Sequence, residues 1–266
     1  MLAHAYAEPP FRIGRAFDLD GAAYVILVCS GPGVFAGDRL RQSIHVGRGA
    51  RVVLTSQSAL QVHPAPADPA HPAPPAVVHH DYLVEDEAEL HCHWDPVIPF
   101  AGARLDQRFD LRIADSSRLY WSDALMAGRV SRRETWRFLS LAHELRLSIG
   151  SRLAYLERYT LMVAPSAPEL RRPSDRAVER PWMCGQASYL ATALVHHTRA
   201  TTEVADALQR GLTELAADGA VDLIAPKLLL ARFLAENGAP FGRARASYRA
   251  AVLEAIFGGQ ELAGRK

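Results

Sequence analysis

The stretch LRIADSSRLYW, residues 111–121, places two apolar alternations on either side of a short polar turn. Alternation with a period of two is typical of a half-buried β-strand, and Asp and Ser are common turn residues. Three other stretches share this plan: IHVGRGARVVL (44–54), YLVEDEAELHC (82–92) and LSIGSRLAYLE (147–157). Spacings of 38, 29 and 34 residues separate the four turns, aligned in chain order at Ala50, Ala88, Ser117 and Ser151.

Repeats of this length are typical of units that bury their apolar faces against their neighbours. The sequence therefore predicts a mainly β protein of stacked β-sheets, in a β-helix-like (solenoid-like) scaffold. The irregular spacing leaves an ordinary β-sandwich open as the alternative. A proline-rich stretch, PAPADPAHPAPP (64–75), interrupts the pattern and predicts a surface loop.

The C-terminal third changes to helical patterning, with a few α-helices predicted. These are TTEVADALQRGLTELAADG (201–219), PKLLLARFLAENG (226–238) and RARASYRAAVLEAIFGG (243–259). Short strands are expected around Leu190 and Leu223. No linker separates the halves, so we expect a single domain over 1–266, mainly β over 1–165 and helix-rich over 166–266.

Composition excludes several classes of protein. A formal net charge of +1 does not provide the concentrated basic face of a nucleic-acid or anionic-membrane binder. The longest apolar run, Ala22 to Cys29, is far shorter than the ~20 residues that span a bilayer. The N-terminus lacks a signal-peptide pattern, and three scattered cysteines imply no disulfide framework. We therefore expect a cytoplasmic protein.

The glycine-rich stretch GPGVFAGDRL (31–40) raises the question of phosphate binding. No Lys-Ser/Thr pair follows it, and the next segment alternates with a period of two instead of starting a helix. It therefore predicts a strand-to-strand turn, with Gly33 and Gly37 supplying positive φ angles.

Four blocks, taken in order, resemble the UreD (UreH) family of urease accessory proteins: GVFAGDRL (33–40), ARVVLTSQSALQVH (50–63), DPVIPFAGARLDQ (95–107) and ALMAGRVSRRETW (124–136). Three departures from the family pattern stand out. Thr55-Ser56-Gln57 replaces Thr-Thr-Gln, and Gln61 and His63 replace the family Lys and Tyr. Arg133 replaces a glycine expected before Glu134.

The resemblance implies a non-catalytic chaperone and scaffold for urease maturation. Such a protein assists nickel insertion into the urease apoprotein, together with an F-type accessory protein and a G-type GTPase. It implies no tightly bound cofactor, only transient Ni²⁺, and neither a nucleic-acid nor a membrane partner. A chaperone of this kind needs a polar path through an apolar body.

Polar residues within apolar patterns are the candidates for that path, and Gln42 and Gln107 fall on the apolar side of their strands. The family-motif set comprises Asp38, Arg39, Thr55, Gln57, Gln107, Arg129 and Glu134. The alternative reading of these residues is ordinary hydrogen bonding at turns and strand edges.

Imidazole and thiolate groups suit nickel, so the candidate metal contacts are His63, His91, Cys92 and His93. On a strand, His91 and His93 share one face and Cys92 lies on the other. A small β-scaffold metallohydrolase that uses the histidines is the alternative function, although no complete three-ligand motif is visible.

Overall fold

A computed structural model describes residues 2–64, 73–162 and 184–258, which form two β-sheets and two α-helices. The strands are β1 (Phe11–Ile13), β2 (Phe17–Leu19), β3 (Ala22–Cys29), β4 (Arg39–Val46), β5 (Arg51–Ser56), β6 (Leu60–Val62), β7 (Ala76–Val84), β8 (Glu89–His93), β9 (Val97–Pro99), β10 (Arg104–Ile113), β11 (Arg118–Met126), β12 (Ser140–Ile149), β13 (Arg152–Met162), β14 (Tyr189–His196), β15 (Asp218–Ala225) and β16 (Leu228–Ala235). The helices are α1 (Thr202–Glu214) and α2 (Gly238–Val252), and a short π-helical turn, Leu253–Phe257, follows α2. The prediction of a mainly β protein is confirmed, and residues 65–72 of the proline-rich loop lie outside the described ranges.

Sheet A has eleven strands, with the main order β1-β3-β5-β8-β11-β14-β16-β15. Sheet B has five, in the order β13-β12-β10-β7-β4. Both sheets mix parallel and antiparallel pairs. A solenoid is therefore not confirmed, and the β-helix-like description stays a prediction.

The first three repeat units each step from sheet B to sheet A, as β4–β5, β7–β8 and β10–β11. Strand register reproduces the first two spacings: Val46 pairs with Val84, 38 residues on, and Val84 with Ile113, 29 residues on. The same offsets recur in sheet A, where Arg51 pairs with Glu89 and Glu89 with Arg118. The sequence repeat therefore sets the parallel register of both sheets.

The fourth unit does not continue this step. β12 and β13 form an antiparallel hairpin within sheet B, with Gly150 in the connecting turn at a φ of +58°. β12 pairs with β10 at an offset of 36 residues, as in Ile113 with Ile149, and not at the predicted 34. The tight turn reverses the chain in its own sheet instead of carrying it to the next.

The C-terminal region contains both α-helices and also adds β14, β15 and β16 to sheet A. Thr201 caps α1 by accepting a hydrogen bond from Val204 N–H, and the strands near Leu190 and Leu223 are confirmed. The predicted helix over 226–238 is wrong, because this segment forms β16. β16 is apolar on both faces, so it lacks the period-two pattern that marks a half-buried strand.

The core has two layers. Between the sheets lie two apolar clusters, one around Phe109, Leu111 and Trp121 and the other around Leu105 and Trp136. A third cluster packs α1 and α2 against the far face of sheet A. The two clusters between the sheets are separate because polar side chains lie between them.

Candidate functional site

A row of polar side chains crosses the layer between the sheets. Eight strands each place one polar residue at an inward position that is apolar or aromatic two residues before and two residues after. We call this row the polar seam: Gln42, His80, Gln107, Asp123, His143, Glu157, Thr192 and Arg232. On β10, for example, Leu105 belongs to one apolar cluster and Phe109 to the other, with Gln107 between them.

Part of the seam surrounds a cavity of about 50 Å³, which has room for water. Gln42, His80, Gln107 and Asp123 line it from both sheets. Ser58, which is exposed, also lines the cavity, so it reaches the surface beside β5 and β6.

Several seam atoms have no hydrogen-bond partner within the described part of the chain. They are Gln42 Oε1, His80 Nδ1 and His143 Nε2. A buried polar atom without a partner costs about 1–3 kcal/mol, and water commonly satisfies such atoms inside folded proteins. Polar side chains at these buried positions therefore cost stability that apolar side chains would not cost.

Burial shifts the pKa values of three seam groups, Asp123, His80 and His143, toward their uncharged forms. Burial, helped by the neighbouring Glu157 carboxylate, raises the pKa of Asp123 to about 7, although Arg245 opposes the shift. Burial likewise lowers the pKa of His80 to about 3 and that of His143 to about 4. Near neutral pH both imidazoles are neutral and can offer nitrogen lone pairs, while Asp123 is poised between acid and carboxylate.

The far end of the seam reaches the surface at β13 and β16. Arg232, which is 55% exposed, donates to Glu157 Oε2 and to the Tyr155 hydroxyl at 2.9 Å each. Tyr155 in turn donates to Glu157 Oε2 at 2.5 Å. The seam thus extends from the cavity to a charged group at the opposite edge of sheet B.

The motif residues assemble elsewhere, in a layered group that we call the motif column: Phe35, His63, Phe100, Arg129 and Glu134. His63 stacks on Phe35 with ring centroids 4.5 Å apart and meets Phe100 edge-on at 5.0 Å. The Arg129 guanidinium lies 4.0 Å above the Phe100 ring and donates to both Glu134 oxygens, with its Nε 2.6 Å from Oε2. Four separate sequence blocks therefore meet at one place.

The glycine-rich turn supports the column. It joins β3 of sheet A to β4 of sheet B, and Gly33 and Gly37 have φ angles of +129° and +85°, as predicted. A Cβ atom on Gly33 would lie 2.2 Å from the Gln61 carbonyl oxygen, so only glycine fits there. The Asp38 carboxylate accepts from Phe35 N–H at 2.8 Å, which is the ordinary turn bonding that the alternative reading expects.

The departures from the family pattern also have a place. Gln61 is exposed and contributes its backbone carbonyl, which accepts from Val34 N–H at 2.9 Å. The His63 ring bonds the Pro32 carbonyl through Nε2 at 2.8 Å. Arg133 has a φ of +58°, the left-handed region where glycine is favoured, which explains why a glycine is expected there.

The remaining motif candidates are dispersed. Thr55 is buried on β5 and donates to the His93 carbonyl at 2.9 Å. Gln57, just after β5, and Arg39, on the outward face of β4, are both exposed. Of the predicted motif residues, only Gln107 lies in the seam, whereas Thr55 bonds across two neighbouring strands and the others hold turns or face solvent.

The His-Cys-His stretch has the predicted alternation. Cys92 packs between the sheets, with its Sγ 3.9 Å from the Tyr82 hydroxyl, and burial raises the pKa of its thiol. On the opposite face, His91 Nε2 lies 2.7 Å from the Glu89 carboxylate.

Glu89 is the centre of a closed ion-pair network, in which its carboxylate contacts His91, Arg51 and Arg118. The Arg51 and Arg118 contacts are 3.2 and 3.0 Å long. Burial alone would raise the pKa of Glu89, but His91 and the two arginines outweigh it and lower the pKa to about 2. Within the described ranges, His63, His91, Cys92 and His93 do not converge on one metal position, so their role as nickel contacts stays a prediction.

Asp123, His80 and His143 were missed at the sequence level, although a signal for them exists. Each interrupts the apolar alternation of its strand, as Gln42 and Gln107 do. In RLYWSDALM, for example, Leu119, Trp121 and Leu125 share the phase of Asp123. Extending the same test from glutamine to titratable residues would have identified most of the seam.

Comparison with known proteins places this chain in a family. The model of the UreD urease accessory protein family matches residues 1–265. Urease accessory protein UreD of Trichodesmium erythraeum is 31% identical over 152 residues, covering 56% of this chain and 53% of that protein. UreD of Sorangium cellulosum is 32% identical over 173 residues, covering 63% and 51%. The chain spans about half the length of these two relatives.

A longer match is to UreD of Methylobacterium sp. (strain 4-46), 31% identical over 241 residues, covering 88% of this chain and 79% of that protein. In the described part of the chain, no helix combines the length and apolar character needed to cross a membrane. The chain belongs to the UreD family of urease accessory proteins, which are not enzymes.

Proposed function

We propose that this chain is a chaperone and scaffold in urease maturation, and that it assists the insertion of nickel into the urease apoprotein. In this proposal it works in the cytoplasm, in a complex with an F-type accessory protein and a G-type GTPase. Nickel is its cargo and binds only transiently. Family membership supports the role, and the polar seam is the structural observation that supports transit through this chain.

The seam has the chemistry that a transit path for a hydrated cation needs. It offers amide and carboxyl oxygens and neutral imidazole nitrogens, all of which are acceptable partners for Ni²⁺ or its bound water. Four of its groups line one cavity, but in the described part of the chain no three of its histidines and carboxylates bring ligand atoms together, so we expect no position to bind the ion tightly. Weak contacts along a path let an ion leave as readily as it enters.

Asp123 gives the path a charge that changes when a cation enters or leaves. Because its pKa is about 7, the carboxyl group is partly protonated near neutral pH. A divalent cation beside it favours the carboxylate and displaces the proton, and the proton returns when the ion leaves. The ion therefore meets a compensating charge without leaving a permanent buried anion behind.

The alternative function, a small metallohydrolase using the histidine cluster, is wrong, because the family consists of accessory proteins and not enzymes. His91 moreover already engages Glu89 inside the closed ion-pair network.

The scaffold role is tested by co-expression with the F-type accessory protein of the same genome. Affinity purification and light scattering would then give the composition and mass of the product. We expect a stoichiometric complex that is more soluble than the chain alone, whose solubility is lower because its partner-binding surfaces are exposed. A stable monomer that never associates with the F-type protein would contradict the proposal.

A further inference from the structure

The outer face of sheet B contains a group of three ligand-bearing side chains that the seam does not use. His79 and Asp81 lie on β7, and Asp110 lies on β10, which pairs in parallel with β7. Asp81 and Asp110 are register partners, and His79 is two residues before Asp81 on the same face. All three therefore project from the same patch of rigid strand.

The ligand atoms of these residues converge. His79 Nε2 lies 3.0 Å from Asp110 Oδ2 and 3.4 Å from Asp81 Oδ1. One ligand atom from each residue can be chosen so that all lie within 4.8 Å of one another, and this is the only such group of three within the described ranges. The two carboxylates together match the charge of one divalent cation.

Arginines balance the charge of these two carboxylates. Arg41 lies 2.7 Å from Asp81, and Arg108 lies 2.6 Å from Asp110. Their side chains are 70% and 46% exposed, whereas those of Asp81 and Asp110 are 14% and 18% exposed. The arginines can therefore turn into solvent at little cost while the ligand groups stay in place.

We propose that His79, Asp81 and Asp110 form a binding site for a first-row divalent cation such as Ni²⁺, with water completing its coordination. One imidazole nitrogen and two carboxylates are a suitable donor set for such an ion. The site is separate from the seam, since it lies on the opposite face of sheet B. Arg108 contacts Asp110 Oδ2, the oxygen nearest His79, and Arg41 contacts Asp81 Oδ2, so a bound cation competes with both arginines for the two carboxylates and weakens their ion pairs.

The same sheet face provides a matched control. His45 on β4 pairs with Glu85 at 2.7 Å, in an exposed position. Glu85 also accepts from Arg48 N–H, and this pair does not belong to a group of three ligands. His45→Ala therefore removes a surface histidine–carboxylate pair without touching the proposed site.

The test is calorimetric titration of the full chain with NiCl₂, in wild type and in His79→Ala, Asp110→Asn and His45→Ala. We expect the first two variants to lose one equivalent of nickel, or to bind it at least tenfold more weakly, while His45→Ala binds as wild type does. Nickel binding that is the same in all four proteins, or absent from wild type, would overturn the proposal.

A further variant, Arg41→Ala, distinguishes a metal site from a simple ladder of ion pairs. Because Arg41 competes for Asp81, Arg41→Ala should bind nickel severalfold more tightly than wild type. An unchanged or weaker affinity would contradict direct ligation by Asp81. The assay contains no urease and no partner protein, so its outcome is independent of the proposed role in maturation.

Discussion

The motif column and the polar seam contain similar side chains but treat their polar atoms differently. In the column, Arg129 and Glu134 satisfy each other, and His63 bonds a backbone carbonyl. In the seam, Gln42 Oε1 and His80 Nδ1 have no partner in the described part of the chain. The column therefore holds loops together, whereas the seam keeps polar surface available inside the protein.

This difference teaches that sequence motifs and function need not coincide. The recognisable blocks mostly mark residues that fix turns, and apart from Gln107 the groups of the seam lie outside those blocks. Changes in the column should then lower stability. Changes in the seam should alter function and the pH dependence of stability while leaving the fold intact.

The largest effect is expected at the column, from Gly33→Ala. The new Cβ would lie 2.2 Å from the Gln61 carbonyl oxygen, at a φ of +129°. We expect the free energy of unfolding to fall by about 3 kcal/mol, measured by urea denaturation. Gly47→Ala is the control, because nothing lies within 4 Å of its Cβ position, and it should change stability by less than about 1 kcal/mol. Equal losses of stability in the two variants would show that the close contact at Gly33 is not the cause.

A smaller, pH-dependent effect is expected at the seam, from Asp123→Asn. The folded-state pKa of Asp123, about 7, is raised above its ordinary value of 3.8, so the folded chain retains a proton that the unfolded chain releases. Its contribution to stability is complete below about pH 4 and is lost as the pH rises to about 7, with a slope of at most about 1.4 kcal/mol per pH unit.

The asparagine variant should lack this decline, which urea denaturation at several pH values would show. His80 and His143 have lowered pKa values and contribute a slope of the opposite sign, but they do so in both proteins and cancel in the difference. Asp106→Asn, at an exposed position on β10 of sheet B, is the control. Parallel stability curves for Asp123→Asn and wild type would show that this carboxyl group is not held protonated.

The smallest effect is expected from Arg133→Gly, which restores the glycine that the family pattern places there. Arg133 is in the left-handed region, at a φ of +58°. Relief of this conformation should raise the free energy of unfolding by about 0.5–1 kcal/mol, measured from urea midpoints. Arg132→Gly, one residue earlier in a 3₁₀ turn, should instead leave stability unchanged or lower it. A lower free energy of unfolding in Arg133→Gly would show that the left-handed conformation of Arg133 does not destabilise the fold.

Much of the fold could be predicted where one face of a strand is buried. The repeat set the register of Val46, Val84 and Ile113, because alternation marks which side chains point inward. β16 could not be predicted in this way, since Leu229 and Phe233 pack on the helices while Leu228 and Leu230 pack between the sheets. A strand buried on both faces has no alternation to detect.

The candidate site was only partly predictable for a similar reason. Gln107 was identified as a polar residue in an apolar phase, and the structure places it in the seam. The proximity of Asp123 to Gln42 and Gln107 depends on how sheet A faces sheet B, and strand periodicity contains no information about that pairing. Asp38 and Glu134 were identified from motifs, which select residues for holding turns as well as for chemistry.

The central claim is tested most directly by measuring nickel delivery with a seam made apolar. In the double variant Asp123→Leu/Gln107→Leu, residues of similar size remove two polar groups from the cavity lining. The exposed Gln57→Leu serves as control. Each protein would be co-expressed with urease and the accessory proteins, and nickel per urease active site would be measured after purification. The account predicts that the double variant still enters the complex but delivers at least tenfold less nickel, while the control delivers normally. Full nickel loading of urease by the double variant would contradict transit through the seam.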